Sequence, residues 1–68
     1  MPKNIVKYLR RSPEFDLSQE ELAKELGVSR GTIAHIERGG EIKLSLGLKI
    51  AKYFGKDPRE IFFLDDVV

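Results

Sequence analysis

Four side chains that can donate hydrogen bonds to bases or phosphates lie between residues 30 and 43 of this 68-residue chain. The guanidinium of Arg30 has paired N–H donors that match O6 and N7 of guanine. His35 can donate a hydrogen bond to a purine N7 or to a phosphate, depending on its tautomer. Arg38 and Lys43 are suited to phosphate oxygens. These residue types favour recognition of a polyanion.

Residues for catalysis or metal binding are sparse. The chain has one histidine and no cysteine, so it offers nothing from which to assemble a nucleophile, a base and an oxyanion site. No metal-ligand cluster surrounds that histidine. Gly39-Gly40 is not followed by the Lys-Ser/Thr signature of a phosphate-binding loop. We therefore expect that the protein is not an enzyme and that it needs no cofactor and no metal.

Two short helices joined by a tight turn must position these cations. Ser18 begins the first helix as its N-cap, and Glu21, three residues later, completes a capping box. Gly27 ends that helix, and Ser29 caps the second. A helix, a glycine-containing turn and a second helix form a helix-turn-helix, which lays its second helix in the DNA major groove. We expect this motif over residues 18–38.

The second helix separates a buried face from an outward face. At about 100° per residue, Ile33 and Ile36 share one side, and the opposite side carries small and basic residues. Small residues let the helix approach the bases closely, and basic residues reach base edges and phosphates. The predicted DNA contacts come from the starts of both helices, this outward face and the loop beyond it: Gln19, Ser29, Arg30, Gly31, Thr32, Ala34, His35, Arg38 and Lys43.

Three further helices are predicted to complete an all-α core. Apolar spacing predicts one over residues 4–11 and another over about 44–54, and Asp57 with Pro58 begins the last. The helix over 44–54 has two apolar rows and is expected to be the most buried. One row is Leu44, Leu48 and Ala51, and the other is Leu46, Ile50 and Phe54.

Length and composition limit the class of protein. A chain of 68 residues forms one small domain, 1–68, with a single core. No apolar run approaches the roughly 18 residues that span a bilayer, and the N-terminus lacks the apolar stretch of a signal peptide. We therefore expect a soluble cytoplasmic protein with no membrane partner.

The net charge of +1 favours no particular partner, but the charges are unevenly distributed. Nine of the eleven acidic residues fall in 14–25 and 57–68, whereas residues 1–13 hold four basic residues and no acidic one. A polyanion therefore meets a basic surface only if the second half of the motif, with or without the N-terminal residues, faces it.

Several sequence pieces closely resemble the Cro/C1-type, or XRE, helix-turn-helix family of phage repressors and small regulators. The resemblance covers about residues 4–63 and implies a five-helix, lambda-repressor-like domain that binds operator DNA, usually as a two-fold dimer. The pieces that carry it are Leu17 to Ala23, Leu26 to Ser29, Thr32-Ile33, Ile36 to Gly39 and Leu48 to Lys52.

The resemblance also assigns roles to individual residues. It implies an ion pair between Arg10, late in the first helix, and Glu37, at the end of the third. Gly31 stands where the family often has a base-reading glutamine, so one direct contact with a base is lost. Specificity must then depend on Arg30, His35, close apolar contact and DNA shape.

The C-terminal end carries apolar residues that favour self-association. Short members of the family often build their dimer with a C-terminal strand or tail, which corresponds here to residues 64–68. An alternative interpretation is that Phe62 or Phe63 closes the core of a single chain. The predicted dimerisation residues are Phe62, Phe63, Leu64, Val67 and Val68.

Two functions from different classes remain open. The leading hypothesis is a sequence-specific transcriptional regulator, a repressor, that binds a pseudo-palindromic operator as a homodimer through a recognition helix over about residues 30–37. The alternative is an antitoxin or adaptor that acts mainly through a toxin or another protein partner. The acidic second helix and the acidic C-terminal end are suited to that second function.

Overall fold

A computed structural model describes residues 3–63 and contains five helices there. They are α1 (Val6–Arg11), α2 (Gln19–Leu26), α3 (Arg30–Glu37), α4 (Leu44–Phe54) and α5 (Pro58–Ile61). Within those residues the only β pairing is one isolated antiparallel bridge, between Asn4 and Phe62. The predicted all-α, five-helix fold class is confirmed.

Residues 3–63 contain neither a membrane-crossing helix nor a metal-ligand cluster. No helix in this stretch is both long enough and apolar enough to cross a membrane. Nor does the described stretch hold a group of three or more His, Asp or Glu side chains placed to bind a metal ion.

Side-chain caps fix the ends of α2 and α3. The Ser18 hydroxyl accepts a hydrogen bond from the Glu21 N–H at 3.0 Å, and the Glu21 carboxylate accepts one from the Ser18 N–H at 2.8 Å. Gly27 ends α2 with φ of 72°, a left-handed conformation that costs little without a Cβ. The Ser29 hydroxyl accepts from the Thr32 N–H at 3.1 Å and begins α3.

The core lies where α2 and α3 pack against the other three helices. Phe15, in the loop between α1 and α2, packs edge-on against Phe54 with ring centroids 4.8 Å apart. The Lys49 ammonium of α4 donates to the Leu26 carbonyl at 2.7 Å and so satisfies the C-terminal end of α2. The largest fully buried side chains are Val6, Leu22, Leu26, Ile33, Ile36, Ile50 and Ile61.

The prediction of a buried row through Leu44 and Leu48 is wrong. These side chains are 77% and 49% exposed. The buried residues of α4 are Gly47, Ile50, Ala51 and Phe54. At about 100° per residue, these four centre on one direction, and Leu44 and Leu48 stand to one side of it. The tertiary packing of α4 therefore leaves these two leucines facing solvent, whereas Ala51, the third residue of their row, is buried.

Helix α1 begins at Val6, two residues later than predicted. Asn4 is the reason, because its side chain makes two hydrogen bonds that a helical residue would not make. Its Oδ1 accepts from the Val6 N–H at 3.1 Å, and its Nδ2 donates to the Ile36 carbonyl at 2.8 Å. Asn4 therefore satisfies the first backbone N–H of α1 and ties this end of the helix to the end of α3.

Backbone pairing joins the two ends of the described chain. The Ile5 N–H donates to the Ile61 carbonyl at 3.0 Å, and the Phe63 N–H donates to the Lys3 carbonyl at 2.7 Å. These two bonds flank the antiparallel bridge. The pairing is too short to produce, in the sequence, the alternation of apolar and polar residues from which a strand is predicted. It was therefore not predicted from the sequence.

The capping box makes the stability of this fold depend on pH. Hydrogen bonds from the Ser18 backbone and then from its side chain hold the pKa of Glu21 below the usual glutamate value. The unfolded state therefore binds this proton at a higher pH than the folded state does. The stabilisation is present above the unfolded-state pKa and is lost as the pH falls through the folded-state pKa.

We expect the stability of Glu21→Gln to fall less steeply than that of the parent protein between about pH 5 and pH 3, as measured by urea unfolding. Glu20→Gln is the matched control, because its carboxylate takes no part in the capping box. If the two substitutions flatten the pH profile equally, the capping box is not the cause.

Candidate nucleic-acid interface

Helix α3 buries one side and leaves the other open. Ile33 and Ile36 are 0% and 1% exposed, whereas Arg30, Gly31 and His35 are exposed. The two isoleucines thus hold the helix on the core. Two of the predicted DNA contacts, Gly31 and His35, lie on the opposite side, and Arg30 lies at the N-terminal end of the helix.

The N-terminal end of α3 combines a capped backbone with an exposed cation. The hydroxyls of Ser29 and Thr32 lie 2.9 Å apart and hydrogen-bond to each other, which orients both beside the first turn. Arg30 makes no side-chain hydrogen bond or ion pair within the part of the chain that the structure describes. Its guanidinium therefore keeps all of its donors for a ligand.

The ring of His35 lies against the turn that follows α3. The Gly40 N–H donates to the His35 carbonyl at 2.9 Å, and Gly39 has φ of 89°. A Cβ at Gly40 would overlap Cε1, Nε2 and Cδ2 of the imidazole. The lack of a side chain at Gly40 is what lets the ring rest there. His35 must therefore rotate outward to reach a base edge.

Two further predicted cations stand beyond α3. Arg38 is its C-cap residue, and Lys43 is the N-cap residue of α4. Both are exposed. The structure thus brings Arg38 and Lys43 to the short connection between the two helices, on either side of the Gly39–Gly40 turn.

A buried ion pair anchors the end of α3 to α1. The Nε of Arg10 lies 2.7 Å from Oε2 of Glu37, and its Nη2 lies 3.1 Å from Oε1. The side chains are 8% and 5% exposed. Nη1 of Arg10 also donates to the Leu17 carbonyl at 2.8 Å. One guanidinium therefore holds both the end of α3 and the loop that leads into α2.

Gln19 joins this ion pair, a contact that the sequence did not reveal. Its Nε2 donates to Oε1 of Glu37 at 3.0 Å. An amide nitrogen has two N–H donors, so one is left for another partner. The two residues are 18 apart in the chain, and no spacing rule links them. The bond between Asn4 and Ile36, which are 32 residues apart, was missed for the same reason.

The predicted dimerisation residues are only partly described. Phe62 is half-buried, and its ring lies against α4 at Gly47. Phe63 is 40% exposed. The other three, Leu64, Val67 and Val68, lie outside the described residues, as does the predicted tail over 64–68.

A family model described as helix-turn-helix matches residues 6–61. The chain belongs to this helix-turn-helix family. The matched span contains all five helices. The resemblance to the Cro/C1-type family is thereby confirmed.

This helix-turn-helix protein has relatives in archaea and bacteria. An uncharacterized HTH-type transcriptional regulator of Methanocaldococcus jannaschii is 49% identical over 65 residues, which cover 94% of this chain and 96% of the relative. Another, from Bacillus subtilis, is 43% identical over 65 residues with the same coverage. A third, from Archaeoglobus fulgidus, is 43% identical over 54 residues, or 78% of this chain and 76% of that one.

Loss of one partner of the buried ion pair should destabilise this helix-turn-helix protein strongly. Arg10→Met leaves the Glu37 carboxylate buried and without its cation, which costs about 3–5 kcal/mol in comparable pairs. We expect a loss of that size in the free energy of unfolding, measured with urea. The double variant Arg10→Met/Glu37→Leu should recover most of it, because neither charge is then buried alone.

The exposed ion pair between Arg59 and Asp57 is the control. Its side chains are 90% and 42% exposed, so Arg59→Met should leave the unfolding transition nearly unchanged. The anchoring role of Arg10 would be refuted by an Arg10→Met variant that unfolds at the same urea concentration as the parent.

Proposed function

We propose that this chain is a sequence-specific DNA-binding transcriptional regulator, a repressor, that inserts α3 into the major groove of its operator. One observation carries the proposal. Gly31 and His35 lie exposed on the side of α3 opposite its two buried isoleucines, and the exposed Arg30 stands at the N-terminal end of the helix. The names of the relatives, HTH-type transcriptional regulators, support the same function.

The dimensions of α3 suit the groove. An α-helix with its side chains is about 10–12 Å across, and the major groove of B-DNA is about 12 Å wide. Arg30 and Arg38 stand at the two ends of α3. Arg30 binds O6 and N7 of a guanine, and Arg38 meets a phosphate where the helix leaves the groove.

Small side chains in the middle of α3 allow close approach to the bases. Gly31 has no side chain, and Ala34 and Thr32 present single methyl groups, which can contact the methyl of thymine. His35 adds a donor once its ring turns away from Gly40. With few long side chains on this face, much of the discrimination comes from the shape and deformability of the DNA.

Phosphates on either side of the groove are bound by the starts of the helices and by the connection after α3. Gln19 uses the amide N–H that Glu37 leaves unused, and Ser29 contributes together with the free backbone N–H groups of α3. Lys43 binds a phosphate from the start of α4. These contacts set the position of α3 without reading the sequence.

A homodimer on a pseudo-palindrome places two such helices about 34 Å apart, one turn of DNA. Phe63 is 40% exposed and supports self-association through the C-terminal end. Occupation of an operator excludes other proteins from it, so repression is the regulation that binding alone produces. The protein acts in the cytoplasm, where its DNA is.

A binding selection from random duplexes with the purified protein tests this function. We expect a recovered site to bind with a steep dependence on salt, because phosphate contacts release counterions. Arg30→Ala should lose about 1–3 kcal/mol of discrimination at one base pair, while overall affinity for unrelated sequences changes less.

Arg59→Ala, which removes an exposed arginine of α5, is the matched control and should leave both affinity and specificity unchanged. Recovery of no preferred site would reject the regulator and favour the antitoxin or adaptor alternative. If Arg30→Ala kept full specificity, α3 would not be the helix that reads the bases.

A further inference from the structure

The outward face of α1 carries cations that the interface above does not use. Lys7, Tyr8 and Arg11 are all exposed, and Tyr8 is 73% exposed. Positions 7 and 11 are one helical turn apart, so their side chains are neighbours, and Tyr8 lies beside them. Within residues 3–63, neither Lys7 nor Arg11 makes a side-chain hydrogen bond or ion pair.

The α1 face, defined by Lys7, Tyr8 and Arg11, lacks the acidic neighbours that some other exposed cations of the chain have. Lys24 shares α2 with Glu20 and Glu21, and Lys56 is followed directly by Asp57. Helix α1 has no acidic residue. The acidic side chain that does border its groove, Glu37, already binds Arg10 at 2.7 Å. The α1 face is therefore locally cationic.

Glu37 connects the α1 face to the DNA interface. A groove lined by Lys7, Tyr8 and Arg11 has Glu37 as its wall on the α3 side. Glu37 also holds Gln19, the first residue of α2. In a helix-turn-helix complex, the helix that precedes the recognition helix crosses the DNA backbone. The α1 face therefore borders the position of that backbone.

We propose that Lys7, Tyr8 and Arg11 bind the sugar-phosphate backbone next to the half-site that α3 reads. The inference rests on the proposed DNA binding and adds a second contact surface to it. Lysine, arginine and tyrosine side chains all donate to phosphate oxygens. The Cβ atoms of Lys7 and Arg11 are about 5–6 Å apart, so the two cations can bind neighbouring phosphates of one strand.

Substitutions on the α1 face test the proposal against the duplex recovered by selection. Each lost phosphate contact lowers the slope of log K against log salt by about 0.9. We expect Lys7→Ala/Arg11→Ala to lower it by about twice that amount and to weaken binding severalfold. The loss should be equal for matched and mismatched duplexes, because phosphate contacts do not read sequence.

The matched control is Lys52→Ala/Lys56→Ala. It removes the same number of exposed charges, one from α4 and one from the second residue after that helix. Urea unfolding checks that both variants fold. A salt slope that falls equally in both double variants, or in neither, would overturn the proposal.

The outcomes separate this inference from the proposed function. If the parent protein binds a preferred site and the double variant at 7 and 11 keeps the full slope, only the α1 contact is wrong. If the parent binds no DNA, both are wrong. Trimming the duplex to its half-sites should remove the difference between parent and variant, because the flanking phosphates are then gone.

Discussion

The buried ion pair between Arg10 and Glu37 fixes the position of α3. Two charges in a core are costly unless hydrogen bonds replace the lost water, and here the guanidinium donates three bonds, two to Glu37 and one to the Leu17 carbonyl. Gln19 adds a further bond to the same carboxylate. Helices α1, α2 and α3 therefore meet at one carboxylate, and none can shift without breaking that contact.

Because both ends of α3 are held, its outward face can consist of small residues. The Ser29 cap holds the start, Glu37 holds the end, and two isoleucines lie beneath. Rigid placement makes close approach to the groove possible without long side chains. The same junction brings the cationic face of α1 beside the start of α2, so one buried contact organises α3 and both of the surfaces that we propose to contact the DNA backbone.

The sequence predicted what depends on near neighbours in the chain. The caps at Ser18 and Ser29 act over three residues, so their spacing reveals them. The bond between Asn4 and Ile36 and the pairing of the chain ends are long-range and leave no periodic pattern. Leu44 and Leu48 were misplaced because apolar periodicity marks a face without saying which neighbour covers it. The Arg10–Glu37 pair was expected only through the family resemblance.

The central claim is that α3, held by this ion pair, is the part of the protein that enters DNA. Titration of the ¹⁵N-labelled protein with a duplex recovered by selection tests it most directly. We expect the largest amide shift changes in residues 29–38 and at the start of α2, with α5 little affected. Large changes in α4 and α5 with an unperturbed α3 would contradict it.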